Sequence, residues 1–356
     1  MRTLTILVIL IAVVFGGAWY AGETWLGNRA AEVVASNPQV NAESVTPLRN
    51  PTRLGLHMDQ LDYGDETSGF STPGVDVYAP VTSPNTLTVD LPTEMELRIA
   101  GVPTALTLAG GKARASISPT HEMTIRKAGI EAENLAMNGA ELFASLGIEA
   151  QLVHMGGNQP LRSAGAYDID IALTDAVVAG LPQALDINGS VKLWLTSLPG
   201  QATLEGKAPP PMPTGFETRD LRFTFGDAEA TLIGRIEADA EGYAAGQAAF
   251  YTEDASKFID AAVNAGLIPS GGVMMARALL NNLSGGADDE LPETDEDAQT
   301  AAGAAPDPGP VAEDEPISFP RAAKGQIRLP LILENGRIFL GPVPIGTAPR
   351  LFATGA

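Results

Sequence analysis

The chain has 356 residues, of which 45% are apolar and only 6% aromatic, with 38 glycines, 27 prolines and no cysteine. Lys and Arg number 22 against 43 Asp and Glu, a formal net charge of −21. The missing thiols exclude a disulfide scaffold, a zinc–thiolate site, an iron–sulfur cluster and a thiol nucleophile, and the charge lacks the basic footprint of a nucleic-acid binder.

The first element is apolar. Leu4 to Ala21 carries no charge and includes Leu4, Ile9, Val14, Trp19, Tyr20 and Ala21. Eighteen residues in a helix rise about 27 Å, most of a hydrocarbon core. Arg2 precedes the segment and Glu23 is the first charge after it, so the N-terminus is expected inside and the body outside. Trp19, Tyr20 and Trp25 stand where an interfacial aromatic belt belongs. The competing reading is a signal peptide cleaved after Ala18, behind Gly16-Gly17. Residues 1–27 are therefore expected to be a single-pass inner-membrane anchor with a periplasmic body, or else a leader that leaves the body soluble in the periplasm.

The body reads as mainly β with minor α. Period-two alternation predicts strands at Leu87/Val89/Leu91, Met95/Leu97/Ile99, Met123/Ile125, Ile169/Ile171/Leu173, Val191/Leu193/Leu195, Leu221/Phe223/Phe225 and Ile327/Leu329/Leu331/Leu333. One oily and one wet face per strand suits an antiparallel sheet covered on one side. Asn188-Gly189, Asn335-Gly336 and Gly110-Gly111 suit tight hairpins. Pro92, Pro103, Pro182, Pro199 and Pro330 are expected at strand ends or edges.

A short helix is expected at Ala140–Leu146, and a turn near Asp175–Gly180. Capped by Thr252 or Asp254, a second helix runs from Ala255 to Ala265 with Phe258, Ile259, Ala262 and Val263 as its stripe. A third follows Ser270, with Ala276, Leu279, Leu280 and Leu283 at helical spacing, so the helical patch spans 254–284. Residues 28–206 form a first β-rich half, 207–215 a Pro-rich connector, and 216–284 a second half. Residues 135–143 and 251–258 occupy similar slots in the two halves, which hints at a duplicated sheet.

Residues 285–315 hold eleven acids, Asp288 to Glu315, and no Lys or Arg; without them the charge is −21 + 11 = −10. Such a composition cannot offset its ordering entropy and reads as a disordered loop. Residues 316–356 read as a closing hairpin and an extended tail, which either covers a sheet edge or docks a partner.

Catalytic constellations are sparse. His57, His121 and His154 lack metal-ligand spacing. Asp168 and Asp170 share a strand face about 6.5–7 Å apart; paired carboxylates serve glycoside hydrolysis, but alternation with Ile169 and Ile171 makes a solvated face the simpler account. Glu94, Glu96 and Arg98 repeat that pattern. There is no Gly-x-Ser-x-Gly elbow or phosphate loop, and Gly271-Gly272 reads as an ordinary helix start. Trp194 lies opposite Val191, Leu193 and Leu195 and is expected to be covered. No catalytic residue, cofactor, metal or nucleic-acid partner is assigned, and no enzyme activity is expected.

The N-terminal anchor, the ending Asn335-Gly336-Arg337-Ile338-Phe339-Leu340-Gly341-Pro342-Val343-Pro344-Ile345-Gly346, and the run from Leu221 to Ala265 with Gly234, Gly242-Tyr243 and Gly246 resemble the bacterial family catalogued as domain of unknown function 2125. These motifs are structural glycines and prolines, and the family implies no activity. More distantly the organisation is similar to AsmA-like envelope proteins, which implies an anchored periplasmic sheet that handles phospholipid along an apolar groove. The resulting expectation is an anchored periplasmic binding or scaffold protein, contacting lipid or an envelope protein. The alternative is an interaction module docking a partner through the acidic loop or the tail.

Overall fold

The computed structural model describes residues 21–32, 34–36, 40–118, 123–179, 181, 183–204, 207–264, 274, 317–323, 325–341 and 343–351. Seventeen strands form one sheet, and every pairing in it is antiparallel. The first row is a broken strand, β1 (Val40–Asn41) and β2 (Ser44–Pro47), followed by β3 (Arg53–Gly64) and β4 (Ser68–Pro80). β5 (Thr86–Asp90) and β6 (Glu94–Ile99) share the next row. Both pair with β4 on one side and with β7 (Val102–Ser118) on the other. The break between them falls at Leu91-Pro92-Thr93, where proline has no N–H to donate.

Each remaining strand pairs with the next in sequence. In order they are β8 (Thr124–Met137), β9 (Ala140–Val153), β10 (Gly165–Ala176), β11 (Leu185–Leu195), β12 (Pro213–Phe225), β13 (Ala228–Ala238), β14 (Ala244–Thr252), β15 (Ile327–Glu334), β16 (Arg337–Leu340) and β17 (Val343–Thr347). The chain is thus a continuous meander, with neighbours in sequence lying side by side in space. α1 occupies residues 21–32 and 34–36, α2 (Gln201–Leu204) lies in the β11–β12 link, and α3 (Ala255–Asn264) follows β14.

Register carries one apolar face across the sheet. Leu56, Val77, Val89, Ala113, Ile130, Ile148 and Ile171 stand opposite one another in turn. A parallel row runs Ala132, Leu146, Leu173, Ile187, Phe223, Ala230. Among the described residues, both clusters of fully buried side chains lie towards the C-terminal end. Ala255 and Ile259 of α3 pack on Leu329 and Leu340, and beside them lie Ile236, Ala244, Ala248, Leu333 and Ala348. Asp254 caps α3 by accepting from the Lys257 amide.

Several expectations change. Residues 140–146 are strand, because β8 and β10 pair with both edges of β9 and outweigh local helix preference. Gly110-Gly111 and Asn188-Gly189 are not turns; they lie inside β7 and β11 at register shifts. A Cβ on Gly189 would stand 2.5 Å from the Asp220 carbonyl, so the glycine admits a close backbone approach. Asn335-Gly336 is the expected hairpin, with φ of 51° and 72°.

The Pro-rich connector links β11 and β12, which pair directly. Residues 135–143 span the β8–β9 hairpin whereas 251–258 pass from β14 into α3, so the two slots differ. The helix expected after Ser270, the acidic run 285–315, Pro182 and His121 lie outside the described residues, apart from Met274. So do Leu4, Ile9, Val14, Trp19 and Tyr20; Ala21 opens α1 and is exposed. Among the described residues no helix is long and apolar enough to cross a membrane. The tail is engaged: β17 pairs β16, and Pro349 and Gly242 accept backbone bonds that join the tail to the β13–β14 turn.

Candidate functional site

The middle of the apolar face is less completely covered than its C-terminal end. Ile130, Ile148, Ile169, Ile171, Leu146, Leu173, Ile187 and Val191 are each only half-buried, although all sit in the interior of a sheet. Among the described residues, elements touch along neighbouring rows, and the further packing of note is α3 against the C-terminal strands. Among the described residues no element besides their sheet neighbours makes extensive backbone contact with β7 to β11, although Leu198 of the β11–β12 link lies against Gly165. Counted from the β5 row to β12, six strand spacings give about 29 Å of apolar width.

Helices stand at both ends. Gly27 of α1 faces Pro47 and Leu56, where an added Cβ would lie 3.4 Å from Pro47 Cγ. Arg49 ties α1 to the β2–β3 turn, reaching Glu23 at 3.8 Å and donating to Thr24 Oγ1 at 3.0 Å. Trp25 points away, 68% exposed. At the far end, α3 shields Leu329 and Leu340. The partly buried rows lie between these two helices.

The opposite face is polar but not uniformly wet. Trp194, expected to be covered, is 2% exposed there. Its Nε1 donates to the Met155 carbonyl at 3.1 Å, and the Arg235 guanidinium lies 4.9 Å from its ring. Arg235 also pairs with Glu217 and Glu237 and donates to Asn158 of the 154–164 loop, which holds that loop over the sheet. On the apolar face Tyr167 is buried beside Leu152 and Leu193; it donates to the Ile125 carbonyl at 2.6 Å, and burial pushes its phenol up to about 12.

The residues weighed for chemistry are scattered. Asp168 stands beside Gln151 and Lys192, and Asp170 beside Glu149 and Ser190, all on the polar face. A depression of about 290 Å³ lies over Gly129 between Arg114, Lys127, Glu149 and Asp170. Its arginine is already engaged by Glu131 and Glu149. Glu94 and Glu96 are exposed, while Arg98 pairs with Asp62. His154 accepts from the Gly156 amide in its own loop.

His57 is different. Its Nδ1 lies 2.6 Å from Asp76 Oδ1 and its Nε2 3.0 Å from Asp59 Oδ1. Sequence spacing hides this group because β3–β4 register creates it: His57 stands opposite Asp76, and Asp59 opposite Gly74. Among the described residues no three His, Asp or Glu side chains are grouped to hold a metal ion.

Fold and site together define a mainly β protein: one large antiparallel sheet with an apolar face that is only partly buried between α1 and α3. The chain belongs to the family described as "Uncharacterized protein conserved in bacteria (DUF2125)", which matches residues 50–301. The N-terminal apolar segment and the Asn335–Gly346 ending fall outside that span. No curated protein and no solved structure matches the chain.

Proposed function

We propose that the protein is a non-enzymatic binding or scaffold protein of the cell envelope, held in the inner membrane by residues 4–21, with a periplasmic body. Its open apolar face contacts lipid acyl chains. The observation that supports this is the isoleucine row on β8 to β10, which is only partly buried and, among the described residues, has extensive backbone contact with the adjoining strands alone. An apolar row whose cover is incomplete is a candidate binding surface. A methylene chain needs only an apolar strip, and it brings no demand for hydrogen bonds that the face could not meet. The organisation is also similar to that of AsmA-like envelope proteins.

The test is native mass spectrometry of the full-length chain purified in mild detergent, followed by lipid extraction. Phospholipid retained in stoichiometric amount is expected. A chain that never retains lipid, and whose Ile148→Asp variant behaves identically, would sink the reading. Membrane fractionation with N-terminal sequencing tests the anchor: an intact Met1 in the membrane pellet is expected, and a soluble chain beginning at Trp19 would refute it.

A further inference from the structure

The polar face at the α1 end carries a group that the lipid reading does not use. The imidazole of His57 is held between two carboxylates, one at each ring nitrogen. Asp59 is itself held by Ser44 Oγ of β2 at 2.5 Å. Space for the ring comes from Gly74, where a Cβ would lie 3.0 Å from His57 Cε1. Ser44, Asp59, His57 and Asp76 therefore link β2, β3 and β4 through side chains, on the face opposite the Pro47–Leu56 seat of α1.

Neutral imidazole has one donor and one acceptor nitrogen; only imidazolium donates from both. Both contacts here are to carboxylate oxygens, so satisfying them together requires the doubly protonated ring. Every neighbouring element bears on this charge. β2 presents Ser44 and Thr46 and no titratable group. β3 presents Asp59 and Arg53, β4 presents Asp76, and β5 presents Asp90 directly opposite Asp76. Asp90 is answered by Arg53 at 3.3 Å, by Lys112 of β7 at 3.7 Å and by Tyr78 Oη at 3.2 Å. Three carboxylates thus face two permanent cations, and His57 supplies the third positive charge.

We infer that His57 is a proton-operated clasp: protonated, it fastens β2 and β3 to β4 and steadies the seat of α1 at the end of the apolar face; deprotonated, it lets the first strand row loosen. The ring's pKa is raised above its ordinary value, chiefly by the Asp76 hydrogen bond and also by Asp59, while burial opposes them. Because the folded value is raised, the stabilisation is fully present below the unfolded value of about 6.5. It is lost as pH rises through the folded value.

Hydrogen exchange on the full-length chain tests this at the Glu43 and Leu48 amides, which donate to Asp59 and Gly55 across the β2–β3 seam. After correction for intrinsic rates, their protection is expected to be about threefold to tenfold greater at pH 6 than at pH 8.5, the factor one hydrogen bond of ordinary strength represents. The β8–β10 amides should not change. His57→Gln should abolish the difference. In parallel, the His57 Cε1 resonance should titrate above the ordinary histidine value of about 6.5, and Asp76→Asn should bring it down. A pH effect that persists in His57→Gln, a wild-type seam indifferent to pH, or a His57 midpoint at or below 6.5 would each overturn the inference.

Discussion

Two isoleucines that look equivalent in sequence should respond unequally to truncation. Ile259 of α3 is 3% exposed and is packed among Ala255, Leu329 and Leu340. Ile148 of β9 stands between Ile130 and Ile171 on the apolar face and is only partly buried. Changing isoleucine to alanine removes three carbons, about 2.4 kcal/mol of transfer free energy when burial is complete. Under α3 a cavity term is added, so Ile259→Ala should cost about 3–4 kcal/mol. On the sheet face no enclosed cavity forms and most of the transfer term applies, so Ile148→Ala should cost about 2 kcal/mol. Urea unfolding of the full-length chain followed by far-UV circular dichroism measures both, from midpoints at equal slopes. Ile148→Asp extends the comparison. An unpaired carboxylate in a closed core is severely destabilising, whereas on an open face it stays hydrated and should cost about 2 kcal/mol or less while removing bound lipid. Equal losses for the two alanine variants, or failure of Ile148→Asp to fold, would mean that the face is covered and would refute the reasoning.

Trp194→Phe keeps most of the ring but orphans the Met155 carbonyl, so a loss of about 1–2 kcal/mol is expected by thermal unfolding; Trp194→Ala should cost about 3–5 kcal/mol. Gly189→Ala should lose roughly 1–3 kcal/mol, because φ there is 144° and the Asp220 carbonyl blocks the new methyl group. Gly346→Ala, with nothing within 4 Å, should change stability by less than about 0.5 kcal/mol. In a spectrophotometric titration Tyr167 should ionise near 12. Its raised value means that its stabilisation is intact below pH 10. The stabilisation drains away as pH climbs from there, and Tyr167→Phe should remove that alkaline phase.

Much of the sheet was legible from period-two alternation. Val89, Ile169, Ile171, Val191 and Leu193 all fall on the expected face, because a strand's side-chain period is a property of the backbone alone. The Asn335-Gly336 turn and α3 were legible for a similar reason: φ preference and helical spacing act over a few residues. Gly110-Gly111 and Asn188-Gly189 carry the same local signal as a turn, yet they serve as irregularities inside long strands. A glycine reports only that its backbone is permissive, and the neighbouring strand decides how that freedom is used. Residues 140–146 show the reverse case, in which Ala140, Glu141 and Leu142 favour a helix and pairing on both edges overrides them.

The candidate site divides in the same way. Which residues are apolar and which face they share is written in the order of amino acids, since alternation needs no partner. Whether that face is packed away or left open is not, because it depends on which elements return over it. Among the described residues α1 meets one end of it and α3 the other. The pairing of His57 with Asp76 and Asp59, and the burial of Trp194 beneath Arg235, were likewise decided by cross-strand register. Register brings together residues far apart in the chain, and no spacing along the sequence encodes that distance.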